Sequence, residues 1–250
     1  MRIAVIGGTG LIGTRVVRSL RGDGHDVVAA ARSTGVNSFT GEGLADALAG
    51  ADVIVDVSNS SYTDEEAARE FFYASTMNLL GYGDAAGVGH HVALSVVGTD
   101  RLARAEGGYF IAKEQQERLL SSSGRPYTLV HATQFFEFVR SITDHAMRGG
   151  AAHVADVLVQ PMAADDVAAV VAQAALAEPR CGMQEHGGPE VFSLGEIAAL
   201  DLRWRHDDRE VLPDPLGTYF GARLAPRDLL PEATATIAPT RYHEWRVSAG

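Results

Sequence analysis

The first half of the chain is punctuated by five stretches with little polar interruption: "RIAVIGG" (2 to 8), "HDVVAAAR" (25 to 32), "ADVIVDVSN" (51 to 59), "HVALSVVG" (91 to 98) and "YTLVHA" (127 to 132). Each has the length of a strand. A continuous apolar run, as opposed to an alternating one, predicts burial on both faces, which means a parallel sheet with helices on each side. Between the runs the spacing turns helical. Leu11, Ile12, Val16, Val17 and Leu20 share one face, "LADALAG" allows a turn or two, and Thr63 to Glu66 reads as a capping box opening a long helix to about Ala86. Another helix is expected from Gly108 through Leu119 and Leu120, where "SSSG" stops it. This alternation predicts an α/β fold with a doubly wound parallel sheet.

After Thr133 the pattern loosens. "QFFEFVRSITDHAM" looks helical, "VLVQP" is a short strand, and Asp165 with Asp166 opens an alanine-rich helix whose dipole those acids complement. From Pro179 the chain is richer in glycine, proline and charge. The expected organisation is a sheet core over residues 1–178, with lobe elements from about 134, and a smaller lobe over 179–250 that covers the substrate.

Composition narrows the function classes. With 46% hydrophobic and 21% charged residues the chain is an ordinary globular one, and no run of about 18 apolar residues offers a membrane span. A net charge of -11 with no basic run argues against a nucleic-acid partner. Cys181 is the sole cysteine, so no intrachain disulfide forms, and Met1-Arg2 leads straight into "IAVIGG" with no room for a signal peptide. A cytoplasmic monomer or homodimer is expected. The histidines show no metal-ligand spacing. His90 and His91 are expected in a solvated turn.

"GGTGLIG" follows the first strand at once and enters the first helix. Gly7, Gly10 and Gly13 supply a tight turn, a close approach for a pyrophosphate and close packing of helix on strand, while the helix N-terminus offers amide donors to phosphate. In this strand-to-helix position the triplet is the fingerprint of a Rossmann sheet that binds a dinucleotide. Gly7, Thr9, Gly10, Leu11, Ile12 and Gly13 are therefore expected at the cofactor, joined by Ser58 and Asn59 after the third strand. The second strand ends in "AAARSTG", with Arg32 near the place where a carboxylate would take the ribose hydroxyls of NAD. An arginine there pairs with a 2′-phosphate, so NADP (NADPH) is the expected cofactor.

Lys113 is the only lysine among 21 basic residues. A solvated position would be indifferent to lysine or arginine, whereas a site that needs a compact charge with a movable pKa is not. Tyr109 lies four residues earlier, on the same helical face and roughly 5 to 6 Å away at Cβ. Hydride addition to a carbonyl builds charge on oxygen, and a tyrosine whose pKa is lowered by a nearby ammonium can supply the proton. Lys113 could also hold the nicotinamide ribose.

With these residues in view the chain resembles the short-chain dehydrogenase/reductase superfamily, specifically its atypical, NmrA-like branch of NAD(P)-binding reductases. The resemblance rests on "GGTGLIG", the strand ending in "LSVVG", Tyr109-x-x-x-Lys113 and "VQPMAADDVA", covers residues 1 to about 175, and fades after Pro179. It implies a catalytic set of Ser95, Tyr109 and Lys113, with Ser95 holding the substrate oxygen. Asn78 resembles a family asparagine that can hold a relay water, but as a mid-helix residue it is equally structural and stays outside the set. The branch often carries arginine where His131 stands here.

Ligands of doubly wound folds lie at the carboxyl ends of the strands. "TQFFEFV" therefore faces the nicotinamide end, making Phe135, Phe136 and Phe138 candidates for the substrate wall and His131 a candidate acid or base there. Tyr219, Phe220, Tyr242 and Trp245 either cover that wall or form the lobe's own core. The first expectation is an NADPH-dependent reductase of a carbonyl or quinone on a small apolar molecule. A non-catalytic NADP-binding regulator is the second, and an epimerase or dehydratase of the extended branch the third.

Overall fold

In the computed structural model, which describes residues 1–105 and 108–249, the chain alternates as its pattern predicts. It runs β1 (Arg2–Ile6), α1 (Leu11–Gly22), β2 (Asp26–Ala30), α2 (Leu44–Leu48), β3 (Val53–Asp56), α3 (Glu65–Ala85), β4 (His90–Val96), α4 (Thr99–Arg104), α5 (Gly108–Ser122) and β5 (Tyr127–Ala132). It continues through α6 (Phe136–His145), β6 (Met147–Arg148), β7 (Ala151–Ala155), β8 (Leu158–Val159), α7 (Ala164–Leu176), β9 (Gly182–Gly187), β10 (Phe192–Ser193), α8 (Leu194–Trp204), β11 (Glu210–Asp214), β12 (Thr236–Ile237) and α9 (Tyr242–Ala249). The main sheet has seven strands in the order β2-β1-β3-β4-β5-β9-β12, every neighbouring pair parallel. The chain leaves β1 for β2 on one side and returns to β3 on the other, so a crevice opens at the carboxyl end of β1.

The central strands of this sheet are covered on both faces. Along β1, Ile3 and Val5 pack with Val16, Val17 and Leu20 of α1 and Val167 and Val171 of α7, while Ala4 and Ile6 pack with Leu44, Leu48 and Leu79 on the opposite face. Strands covered twice bury whatever side chains they carry. The two histidines at the head of β4 are a case in point and depart from expectation. His90 and His91 are buried strand residues, not a turn. His90 Nε2 lies 2.9 Å from the Thr128 hydroxyl, and burial draws the pKa of His91 down to about 4, against the attraction of Asp56. The cap of α3 also differs: the Asp64 carboxylate accepts from the Ala67 N–H at 3.0 Å, placing the N-cap one residue beyond Thr63.

The lobe is assembled from both sides of residue 178. β11, β7 and β6 form a three-stranded sheet, β8 and β10 a two-stranded one. Phe136 of α6, Ile197 and Ala198 of α8 and Tyr242 of α9 share its core. Inside it, the buried Asp201 carboxylate accepts from Arg205 and Arg246. Meanwhile β9 and β12, which follow Pro179, extend the main sheet. A single boundary at 178 therefore does not separate core from lobe: the chain passes between them repeatedly, and the short β12 completes the sheet edge beyond the lobe elements α8 and β11 in the sequence.

Candidate functional site

Each glycine of the first loop has a separate structural duty. Gly7 takes φ +79°, a left-handed conformation costly for other residues, and a side chain there would meet the backbone of Ser58 at 2.9 Å. At Gly13 a Cβ would sit 2.1 Å from the Gly7 carbonyl, so only glycine lets α1 seat against the loop. Gly10 is the N-cap of α1 and offers no side-chain cap, which leaves the first helical N–H groups pointing outward for an anion. Gly7, Thr9, Gly10, Leu11 and Ile12 line a cleft of about 1260 Å³ that also takes in Arg32, Ser58 and Asn59. Gly13 lies beneath it. Arg32 opens a short 3-10 turn (Arg32–Thr34) directly after β2; it is exposed and, among the described residues, makes no ion pair. The adjacent Ser33 hydroxyl lies 3.2 Å from that of Thr9. A glycine cradle, outward amides and an unspent guanidinium in one cleft fit a dinucleotide.

Across the loop from Arg32, the same cleft is lined by Ser95, Tyr109 and Lys113. Ser95 stands at the carboxyl end of β4, and Tyr109 and Lys113 are brought to it by the first turns of α5. All three are buried, and each is already bonded. The Tyr109 hydroxyl donates to Asn59 Oδ1 at 2.8 Å, and Asn59 Nδ2 in turn donates to the Tyr62 hydroxyl at 2.6 Å. Lys113 Nζ donates to the Leu94 carbonyl at 2.8 Å and to Gln116 Oε1, with the Phe72 ring centroid 4.6 Å away. The Ser95 hydroxyl donates to Glu117.

The electrostatics correct one expectation. Lys113 was expected to lower the pKa of Tyr109; instead burial raises it well above its ordinary value, with Tyr62 and Tyr219 adding to the rise and the bond to Asn59 opposing it. Burial draws Lys113 down to about 8, opposed by Asp56 and Glu117. Those two carboxylates escape notice in the sequence. Asp56 is a buried acid inside the apolar run "VIVDV"; it accepts from the Ser58 N–H and hydroxyl at 3.0 and 2.6 Å and from Gln116 Nε2 at 2.9 Å. An unbroken polar chain thus runs from Asp56 through Gln116 to Lys113. Glu117, one turn beyond Lys113, accepts the hydrogen bond from the Ser95 hydroxyl and lies 3.1 Å from His131 Nε2. Burial works against its charge, but His131 foremost, then Ser95 and Lys113, hold its pKa below the usual carboxylate range. The signal for both was present: acids and amides three and four residues from Lys113, and an acid in a strand otherwise without one.

At the substrate end the aromatics divide. Phe135 and Phe138 line the cleft with Ile142, Tyr219 and Phe220. Phe136 does not; it packs in the lobe core with its ring centroid 5.2 Å from Tyr242 and 5.3 Å from Trp245. Successive residues at a helix start point about 100° apart, so the neighbours Phe135 and Phe136 serve different compartments. Tyr242 and Trp245 likewise belong to the lobe core. His131 is buried beside Glu117 and is not part of the cleft wall. Asn78 takes its structural role: its Nδ2 donates to the carbonyls of Ser38 and Phe39, both at 2.9 Å. Among the described residues no helix is long and apolar enough to cross a membrane, and no group of three or more His, Cys, Asp or Glu is placed to hold a metal.

A family model described as NAD(P)H-binding matches residues 7–179. The chain is 26% identical over 151 residues to the photosystem II assembly factor Ycf39 of Synechocystis; the match takes in 55% of this chain and 46% of that protein, so the chain spans about half the length of the curated relative it matches. Among solved structures it is similar to a nucleoside-diphosphate-sugar epimerase from Staphylococcus aureus, with a TM-score of 0.71, 18% identity and coverage of 98% of this chain and 99% of that one. It is also similar to a short-chain dehydrogenase/reductase superfamily protein from Agrobacterium tumefaciens with bound NAD, with a TM-score of 0.72, 17% identity and coverage of 100% and 96%. At these identities the likeness to solved structures is one of fold.

Proposed function

The chain belongs to the NAD(P)H-binding family matched over residues 7–179, with the fold of the short-chain dehydrogenase/reductases, and from that premise we propose an NADPH-dependent oxidoreductase that reduces a carbonyl or quinone of a small apolar or aromatic molecule. The observation that carries this reading is that Ser95, Tyr109 and the chain's only lysine line one cleft with the glycine loop. Bound NADPH supplies the hydride. Tyr109, kept protonated by its burial, gives its hydroxyl proton to the carbonyl oxygen as charge grows there. The Lys113 ammonium holds the ribose hydroxyls of the bound dinucleotide. Phe135, Phe138, Ile142, Tyr219 and Phe220 suit an apolar substrate, and among the described residues the basic side chains lining the cleft are Arg32, Lys113 and His145. The test is NADPH oxidation across a panel of quinones and aromatic ketones; silence across a broad panel would sink the reading.

One observation favours a second reading, an NADP-binding regulator without turnover. The Tyr62 ring lies 4.6 Å, centroid to centroid, from Tyr109, and Phe220 lies 5.2 Å from Tyr62, so aromatic side chains close over the proton donor. A regulator can leave them closed; a reductase must part them when substrate enters.

NADPH preference follows from Arg32. Charge-assisted bonds to a 2′-phosphate are worth about 1.5 to 3 kcal/mol, so NADPH should bind about ten- to a hundredfold more tightly than NADH. Arg32→Asp should reverse that order in a calorimetric titration. Equal affinities in the parent protein would remove Arg32 from the site.

A further inference from the structure

Beyond β5 the chain is tied to neighbouring segments. The Thr133 N–H donates to the His186 carbonyl at 3.0 Å, the Thr133 hydroxyl to the Gln160 carbonyl at 2.7 Å, and the Gln134 carbonyl accepts from the Met162 N–H at 2.9 Å. The Gln134 side chain is the exception. The residue is 9% exposed and lines the cleft, yet among the described residues neither its Oε1 nor its Nε2 has a hydrogen-bond partner. A leucine would fill the same volume with no such penalty, so a buried amide with both ends unspent points to a partner that arrives from outside. Three polar side chains that line the same cleft have already found theirs: Ser95 on Glu117, Lys113 on Leu94 and Gln116, Tyr109 on Asn59.

Position then identifies the partner. Arg32 follows β2, on one side of the glycine loop, and Gln134 follows β5, on the other. With the phosphates on the loop and a 2′-phosphate at Arg32, the adenosine half of a dinucleotide lies toward β2 and the nicotinamide toward β4 and β5. Nicotinamide carries a primary carboxamide, one acceptor oxygen and one NH₂ donor, the mirror requirement of a glutamine side chain. We infer that Gln134 recognises this carboxamide through a reciprocal pair of hydrogen bonds, and so fixes the rotation of the nicotinamide ring and the face it presents to the substrate. The inference rests on the dinucleotide reading above and adds to it the residue that selects the nicotinamide group.

The experiment compares NADP with its 3-acetylpyridine analogue, in which a methyl group replaces the carboxamide NH₂ and removes the donor. Isothermal titration of the parent protein should find NADP bound about tenfold more tightly than the analogue. Gln134→Leu should bring the two affinities together while leaving the affinity for 2′,5′-ADP, which lacks the nicotinamide half, unchanged. A parent protein that binds both dinucleotides equally overturns the assignment without recourse to a variant, and so does a Gln134→Leu protein that keeps the parental ratio. Parent protein that binds 2′,5′-ADP but neither dinucleotide would likewise overturn it while leaving the phosphate loop and Arg32 standing. Failure to bind any of the three would bring down the dinucleotide reading itself.

Discussion

Phenylalanine at position 109 should leave NADPH binding near that of the parent and lower turnover of an aromatic ketone about a hundred- to ten-thousandfold, the range a positioned proton donor supplies. The substitution removes one oxygen from a ring that stays held by Phe110 at 5.4 Å and Phe72 at 5.9 Å, centroid to centroid, so the helix start keeps its packing. Asn59 loses one donor but still accepts from the Ser60 N–H. The fold should therefore survive, and the loss should appear in kcat more than in KM. A quinone accepts hydride with less help from an acid, so its reduction should suffer less than that of a ketone. Undiminished ketone turnover by Tyr109→Phe in single-turnover kinetics would strip Tyr109 of its role.

Lys113→Met is expected to lose about a hundredfold or more in turnover and, at pH 7, to be no less stable than the parent. The lysine is buried, and its pKa falls from 10.5 free to about 8 folded. Between those values the unfolded chain holds a proton that the folded protein has shed, so stability rises with pH across the window by about 3 kcal/mol in all. Above pH 10.5 that contribution is complete; as pH falls through 8 it is lost, and the folded protein carries the full cost of a buried ammonium. Methionine escapes the cost but strands the Leu94 carbonyl and the Gln116 amide, at about 1 kcal/mol each. Urea midpoints at pH 7 and pH 10 should show the parent gaining stability relative to the variant. The chain has no second lysine to confuse the comparison. A variant that tracked the parent at both pH values, or that kept its turnover, would return Lys113 to a structural role.

What could be read from the chain follows from periodicity. Five strands advertise themselves as apolar runs, and the glycine loop as a spacing, so the sheet and the loop were legible, as was the helix that carries Tyr109 and Lys113 to one cleft. Direction was less so. Nothing in "TQFFEFV" fixes the phase at which α6 begins, and a shift of one residue exchanges Phe135 for Phe136 at the cleft wall. Burial was legible only for apolar residues: Asp56, His90, His91 and Gln134 sit in or beside strands whose neighbours enclose them, and each reads in isolation as a surface residue. The effect of Lys113 on Tyr109 was misjudged because spacing along a helix says neither how deeply the phenol is buried, which is what raises its pKa, nor what else competes for the ammonium. Here the Leu94 carbonyl and Gln116 do.

The repeated passage of the chain between sheet and lobe bears on how this molecule can change. β9 lies against β5 along most of its length, and β12 closes the far edge only after the lobe's α8 and β11 have been made. Cutting after residue 178 would strip β5 of a neighbour and open a parallel edge in the middle of the sheet. The two parts should therefore melt together, in one calorimetric transition, and neither should persist alone. New substrates are then more readily reached by altering single positions on the cleft wall, such as Phe138 or Phe220, than by exchanging a lobe that has no single point of attachment.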